Sequence, residues 1–288
     1  MNKPIRIEDR IAESYSDLSA RLQAAADYVV ANQMDVAARS LRSVSAASGV
    51  SPATLSRLAR SLGFSSYEEM RELCRAAVGG RQTSFAERAD LLKQSSDSSQ
   101  TILDRQTAAC VWNLSEMGGT LDRARLQEAV DALDGARNVV LFGAFGSTGI
   151  VEYMAYLANY FATNWTLAGR MGASLGASLA SMGAEDVLLV VTKAPYASRA
   201  VRAAEMAQEV GAKTIVICDS HACPANKYAT FPFIVPSESP QFFSSYAATL
   251  ALMETIIAML VAQSGTDTSQ RIRDVERRNK SLGDFWAE

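Results

Sequence analysis

Apolar residues recur at spacings of three and four from about Ile7 to Val30, at Ile11, Tyr15, Leu18, Leu22, Ala25, Tyr28 and Val29. That period predicts one amphipathic helix. A short helix is expected near Asp35 to Arg39, and another from Tyr67 to about Val78. Between them, Leu41 to Phe64 reads as two helices joined at Gly49, the second opened by Ser51 and Pro52. Serine is a strong N-cap and proline suits the first helical turn. Leu41, Val44, Leu55, Leu58 and Leu62 would face a core, leaving Ser51, Ala53, Thr54, Ser56, Arg57 and Arg60 outside. Residues 1–79 therefore form an all-helical domain containing a helix-turn-helix.

Residues 80–100 are mixed in character. The run Ser95–Gln100 is polar and serine-rich and is the best linker candidate, although Phe85–Leu92 could be helical. From Thr101 the pattern changes. Helices at Thr101–Met117 and Leu121–Leu133 precede the apolar run Asn138–Phe142 and a glycine loop, Gly143–Gly149, that leads into a helix ending near Phe161. Further strands are expected at Trp165–Leu167, Asp186–Thr192, Lys213–Cys218 and Phe231–Val235. Helical stretches at Ala173–Met182 and Ala197–Val210 separate them, and a long apolar helix, Ser239–Gln263, follows. Strands that are hydrophobic throughout and alternate with helices predict a parallel sheet covered on both faces. Pro232 restricts the last strand to an edge or a strand start. The fold class is thus a two-domain α+β chain, an all-helical domain followed by a three-layer α/β domain over residues 101–265. Residues 266–288 read as a charged helical tail.

Composition sharpens this picture mainly by exclusion. The chain has 288 residues, is 48% hydrophobic and carries a net charge of −3. Any DNA contact must therefore come from a local patch. Such a patch exists: Val36 to Tyr67 holds Arg39, Arg42, Arg57 and Arg60 and no acidic residue. Thr54 and Arg57, early in the second helix, are the candidates for base edges in the major groove of double-stranded operator DNA. Arg39, Arg42, Arg60 and Ser51 are candidates for phosphates, and the Ser56 hydroxyl lies on the same exposed side. The N-terminus has no signal-peptide core, and the longest apolar stretch, Tyr246–Ala262, is interrupted by Glu254 and falls short of a bilayer span. A cytoplasmic protein with no membrane contact is expected. Cys218, His221 and Cys223 could be read as an incomplete metal or redox site, but a zinc site needs more ligands, and reduced thiols with no cofactor are the expectation.

The segment Asn32–Ala76, and in particular Ala47-Ser-Gly-Val-Ser-Pro-Ala-Thr-Leu-Ser-Arg-Leu-Ala-Arg-Ser-Leu-Gly-Phe64, resembles the N-terminal domain of RpiR/MurR-type bacterial transcriptional regulators. The resemblance implies that the α/β half is a SIS (sugar isomerase) domain, with a flavodoxin-like sheet and two loops that hold a phosphosugar. It also implies a homodimer or homotetramer. The family's first loop, Gly-x-Gly-x-Ser, reads Gly143-Ala-Phe-Gly-Ser147 here, so Phe145 stands in place of the second glycine. The second, approximately Ser-x-Ser-Gly-x-Thr-x-Glu, reads Thr192-Lys-Ala-Pro-Tyr-Ala-Ser-Arg199. Two hydroxyls and one backbone donor are missing, and Lys193 and Arg199 bring two cations.

Candidate residues for a small anionic or polar effector are therefore Gly143, Phe145, Gly146, Ser147, Thr148, Thr192, Lys193, Tyr196, Ser198, Arg199, Ser237 and Ser239. Two other readings stand beside this one. A sugar-phosphate isomerase would need a base from His221, Glu152 or Glu238. A domain serving assembly alone would need no ligand, and the surplus apolar residues of Ser239–Gln263 are expected to lie partly in a subunit interface.

Overall fold

The computed structural model describes residues 7–79, 84–94, 101–170, 172, 174–221 and 223–286. The chain divides into two compact units, residues 1–93 and 94–288.

The first unit is helical: α1 (Ile7–Ser14), α2 (Ala20–Ala31), α3 (Gln33–Ala38), α4 (Leu41–Ser48), α5 (Pro52–Ser61), α6 (Tyr67–Gly79) and α7 (Phe85–Gln94), whose last residue crosses the division. The single helix expected from Ile7 to Val30 is broken. A 3₁₀ turn, Tyr15–Asp17, ends α1, and Ser19 in extended conformation starts α2. The core joins Ile7, Ile11, Val29, Val36, Val44, Leu55, Leu58, Leu62, Phe64 and Met70. Two basic side chains brace it from within. Buried Arg71 donates to the Arg39 carbonyl at 3.1 Å, and Arg75 donates to the Ala37 carbonyl at 2.6 Å. The linker expected over residues 80–100 holds helix α7, and its serine-rich run lies outside the described residues.

The second unit contains α8 (Ile102–Thr120), α9 (Arg123–Asp134), β1 (Val139–Gly143), α10 (Ser147–Ala158), β2 (Trp165–Leu167), α11 (Leu175–Ala180), β3 (Val187–Val191), α12 (Ser198–Glu209), β4 (Lys213–Cys218), β5 (Phe231–Ile234), α13 (Ala247–Gln263) and α14 (Thr266–Leu282). The five strands are all parallel, in the order β2-β1-β3-β4-β5. β1 and β3 are buried along their whole length, which is why both read as unbroken apolar runs. Alternate residues serve opposite faces. Val139, Leu141, Leu189 and Ile217 pack with α9, α10 and α13, whereas Val140, Phe142, Leu188 and Val190 pack with α11 and α12. Pro232 stands in the edge strand β5.

The last sheet-covering helix starts at Ala247 rather than Ser239. Residues ahead of it form a loop clamped by Asn113 of α8, which donates to the Glu238 carbonyl at 2.8 Å and accepts the Glu238 N–H at 2.9 Å. Phe242 and Phe243 therefore belong to the loop. Much of the apolar surface of α13 is covered by α8, α9 and α10 of the same chain. Exposed apolar residues sit instead on α8 (Ile102, Leu103, Val111, Leu114), on α10 (Tyr153, Tyr156) and at Phe242 and Phe243. Among the described residues no single helix is long and apolar enough to cross a membrane.

At the amino ends of the strands, buried Asp186 accepts from Arg137 Nε at 3.0 Å, the Asn138 N–H at 3.0 Å and the Gly183 N–H at 2.8 Å. The Arg137 guanidinium, with help from the Gly183 and Asn138 donors, holds its pKa down to about 2. A native pKa below the unfolded value stabilises the fold above the unfolded pKa, and that contribution fades as pH falls toward the native value. Asp186→Ala should destabilise the second unit by about 2 kcal/mol at pH 7, because charged and backbone donors lose their acceptor. The difference between wild type and variant in urea melts should shrink as pH drops from about 4 toward 2.

Candidate functional site

Two places carry the sequence candidates, one in each unit, and each is built locally. In the first unit, Ser51 caps α5: its Oγ accepts the Thr54 N–H at 3.2 Å and lies 2.8 Å from the Thr54 hydroxyl. Gly49, at φ +68°, makes the turn after α4, a left-handed conformation in which a Cβ would be strained. Two residues past α5, Gly63 takes φ +83°, and the Phe64 N–H returns to the Ala59 carbonyl at 3.0 Å and satisfies a terminal acceptor. These ends fix which side of α5 is buried. Leu55, Leu58 and Ala59 point inward, Arg57 and Arg60 are exposed, and Thr54 and Ser56 are half-buried.

Exposed Arg42, Arg57 and Arg60 form no ion pair among the described residues. Arg39 differs. Its guanidinium meets Asp35, one turn earlier, at 3.3 Å, so part of the charge seen in the acid-free stretch is offset from just outside it.

The second place lies at the carboxyl ends of β1, β3 and β4. The order β2-β1-β3 means that the connections leave β1 and β3 in opposite directions, and the crevice outside that reversal is where open α/β sheets bind ligands. The loop after β1 enters α10 tightly. A Cβ on Gly143 would lie 2.5 Å from the Ser147 carbonyl oxygen, so only glycine lets strand and helix approach this closely. Phe145 adopts φ +53° and is 76% exposed. This is the left-handed region, which costs a non-glycine residue roughly 1–2 kcal/mol, and it stands where the resembling family carries glycine.

Ser147 is buried, with its hydroxyl 2.9 Å from the Tyr246 hydroxyl. Gly146 lies exposed against the Tyr246 ring, and the Thr148 hydroxyl donates to the Gly143 carbonyl at 3.3 Å. Across the crevice, the loop after β3 begins with buried Thr192 and Lys193. Lys193 is 6% exposed, its Nζ lies 5.3 Å from the centre of the Tyr246 ring, and it has no hydrogen-bond partner among the described residues. Burial pushes its pKa down to about 8, against a smaller opposing pull from Asp219.

Asp219, just past β4, organises this loop. It accepts the Ala194 N–H at 3.1 Å and the Tyr196 hydroxyl at 3.1 Å.

Ser147, Lys193 and Tyr246 are thus brought together, with Thr148, Thr192 and Tyr196 around them. Arg199 is not beside Lys193: with Ser198 it opens α12, exposed, and its guanidinium lies 5.6 Å from the centre of the Phe142 ring. Ser237 and Ser239 are half-buried in the clamped loop. The Ser237 carbonyl accepts the Ser245 N–H at 3.0 Å, and the Ser239 hydroxyl accepts the Gln241 N–H at 3.2 Å. Tyr246 and Asp219 are contributors that the sequence alone does not reveal. The tyrosine reads as one more apolar helix position. The aspartate, though at a strand end, has partners only through the fold.

Among the candidate bases, Glu152 is paired with Arg170 at 2.7 Å and His221 is exposed. Cys218 and Cys223 are free thiols and buried; the Cys218 thiol donates to the Ser220 carbonyl at 3.3 Å, and the neighbouring Cys223 together with burial pushes its pKa well above that of an ordinary thiol. Among the described residues no group of three or more His, Cys, Asp or Glu side chains could hold a metal.

Comparison with known proteins agrees with this layout. Residues 5–75 match the helix-turn-helix domain of the rpiR family, and residues 132–259 match the SIS domain. An uncharacterized HTH-type transcriptional regulator of Haemophilus influenzae is 23% identical over 274 residues, covering 91% of this chain and 92% of its own length. The bifunctional protein glk of Paraburkholderia xenovorans is 28% identical over 181 residues, 63% of this chain, but the match spans only 27% of that protein.

Two solved structures share the fold. The sugar isomerase domain of an RpiR transcription factor from Sphaerobacter thermophilus has a TM-score of 0.58 and 20% identity, over 62% of this chain and 99% of that one. The Vibrio vulnificus NanR protein, solved in complex with ManNAc-6P, has a TM-score of 0.59 and 16% identity, over 96% of this chain and 99% of that one. The chain belongs to the RpiR family of helix-turn-helix transcriptional regulators that carry a SIS domain.

Proposed function

We propose that the protein is a cytoplasmic homo-oligomer that presents paired helix-turn-helix domains to a pseudo-palindromic operator, and that a small anionic metabolite at the strand ends controls this binding. Thr54 and Arg57 read base edges. Arg42 and Arg60 hold phosphates, with Ser51, Ser56 and the partly neutralised Arg39 in lesser parts. Residues 80–100 carry the change of arrangement from one unit to the other. The exposed apolar residues on α8 and α10 and at Phe242 and Phe243 support assembly with further copies of the chain.

The observation that carries the effector half is the buried amine of Lys193. A desolvated cation without a hydrogen-bond partner among the described residues disfavours the empty state, and an anion placed against it relieves that penalty. A domain kept only for assembly would have no use for such a group. The structural neighbour solved with ManNAc-6P supports a sugar-derived anion as the chemical family. A regulator rather than an isomerase fits Glu152 being engaged by Arg170 and His221 lying in solvent.

The test is selection of genomic DNA by the full-length chain, followed by anisotropy titrations of the selected duplex across a salt series. A steep fall of affinity with salt, and a change of affinity on adding sugar-derived anions, are expected. Recovery of no sequence above background would remove the operator reading. Unaltered DNA affinity with every anion that binds the protein would remove the control by ligand.

A further inference from the structure

Two of the cysteines share one small buried cluster, and neither DNA binding nor the effector crevice uses their thiols. Cys218 is the last residue of β4, and Cys223 stands just ahead of the 3₁₀ turn Pro224–Tyr228. Both are free and pack with Ala204, Val216 and Ala225. The chain between them doubles back on the Ser220 carbonyl. That oxygen accepts the Cys218 thiol at 3.3 Å, the Cys223 N–H at 3.1 Å and Asn226 Nδ2 at 3.1 Å. Asn226 also holds both cysteines: its Oδ1 lies 3.4 Å from Cys218 Sγ, and its N–H is given to the Cys223 carbonyl at 3.0 Å. The side chain of one cysteine and the backbone of the other therefore meet at a single acceptor.

The two sulfurs are neighbours of unlike character. Each thiol is the largest influence on the other's protonation, and the effects are opposite, upward at Cys218 and downward at Cys223. The Ala225 and Asn226 N–H groups add to the downward pull at Cys223, against the effect of burial. A thiolate is the nucleophile in sulfur chemistry. A sulfur that gives up its proton readily, beside one that keeps it, pairs an attacking thiol with a resolving one. A cysteine serving only as a small apolar core residue would need neither property.

We propose that Cys218 and Cys223 are a peroxide-reactive dithiol that closes into a reversible disulfide. The Cys223 thiolate attacks one oxygen of a hydroperoxide. An S–O bond forms, the O–O bond breaks, and the leaving oxygen takes up a proton, which leaves a sulfenic acid on Cys223. Cys218 Sγ then attacks Cys223 Sγ. The S–S bond forms, the S–O bond breaks, and the hydroxyl departs as water with the Cys218 proton. Two thiols are oxidised and one hydroperoxide is reduced. The segment joining the thiols borders solvent, with Asp219 and Ser220 half-buried and His221 exposed. The loop that the disulfide closes contains Asp219, which holds the Ala194 N–H and the Tyr196 hydroxyl, so peroxide is a second input that arrives beside the crevice.

Stoichiometric hydrogen peroxide on the full-length protein, followed by alkylation, tryptic digestion and mass spectrometry, tests this. Both cysteines fall in the single tryptic peptide 214–227. That peptide should escape alkylation, become lighter by the mass of two hydrogen atoms and revert with dithiothreitol, all before half-buried Cys110 is oxidised. A peptide that gains oxygen without losing two hydrogens, or that keeps both thiols after Cys110 has reacted, would overturn the proposal. In Cys218→Ser the Cys223 sulfenic acid should persist and be captured by dimedone. In Cys223→Ser, oxidation of Cys218 should be slower than that of the wild-type pair by about 10-fold or more. Capture on Cys218 as fast as on Cys223 would overturn the division of roles. Circular dichroism checks that both variants fold, and the wild-type peptide map decides the disulfide without them.

Discussion

Lys193→Met should raise the melting temperature of the second unit by several degrees while removing its response to effector. The amine is buried without a hydrogen-bond partner among the described residues, and burial holds its pKa at about 8 against 10.5 for a free lysine. Below pH 8 the group is protonated in both folded and unfolded chains, and the folded state carries the full desolvation penalty. A difference of this size corresponds to about 3 kcal/mol. As pH rises from about 8 to about 10.5 the folded chain loses its proton first, so the penalty is relieved and stability increases.

Methionine has a similar reach and no charge, so it fills the space without that penalty. With roughly 2–4 °C of melting temperature per kcal/mol for a domain of this size, the gain at pH 7 should be on the order of 5–10 °C. Calorimetry at pH 7 and pH 10 would show the gap between variant and wild type closing at the higher pH. A variant that melts at or below wild type at pH 7 would mean that the amine is satisfied in solution. Stability surrendered at one residue in exchange for ligand response is a familiar feature of functional sites.

The second large effect belongs to Arg57. Arg57→Ala should weaken binding to the selected operator by about 5- to 150-fold, the range for one good bidentate base contact, and should relax the preference at one base pair in each half-site. Arg60→Ala and Arg42→Ala should behave differently. Each should lower affinity for all sequences alike and reduce the slope of log affinity against log salt by about 0.9 for every phosphate no longer neutralised. Anisotropy titrations with the operator and with scrambled DNA, at three salt concentrations, separate the two patterns. If Arg57→Ala weakened both duplexes equally, Arg57 would be a phosphate ligand rather than a base reader. Because Arg39 is already paired with Asp35, its removal should matter least of the four.

Where local chemistry decides the structure, the sequence is legible. Ser51, Pro52 and Gly49 mark the boundaries of α5 and its turn through capping and a left-handed backbone, both properties of the residues themselves. β1, β3 and β4 stand out as apolar runs because covered parallel strands need nothing else. Legibility ends where a distant contact overrides a local period. The apolar spacing of the first segment continues across Tyr15–Asp17, so the break there is hidden. Phe242, Phe243 and Tyr246 have helical spacing too, but Asn113, 125 residues before Glu238, holds the chain ahead of Ala247 in a loop.

The site divides in the same way. Ser147 and Lys193 can be named from their loops. Tyr246 lies 99 residues from Ser147, and Asp219 lies 25 from Ala194, and only the folded sheet makes these pairs neighbours. Arg199 groups with Lys193 by closeness in sequence, yet the turn into α12 sends its side chain over Phe142.

The Asn113 clamp has a topological consequence. α8 is the first helix wholly within the second unit, and it precedes every strand in the chain. Two short hydrogen bonds rivet the middle of that helix to Glu238, eight positions ahead of the tyrosine whose ring covers the Lys193 amine. The lip of the crevice is thus tied through one side chain to α8, a helix outside the sheet, as well as to the strands that line it.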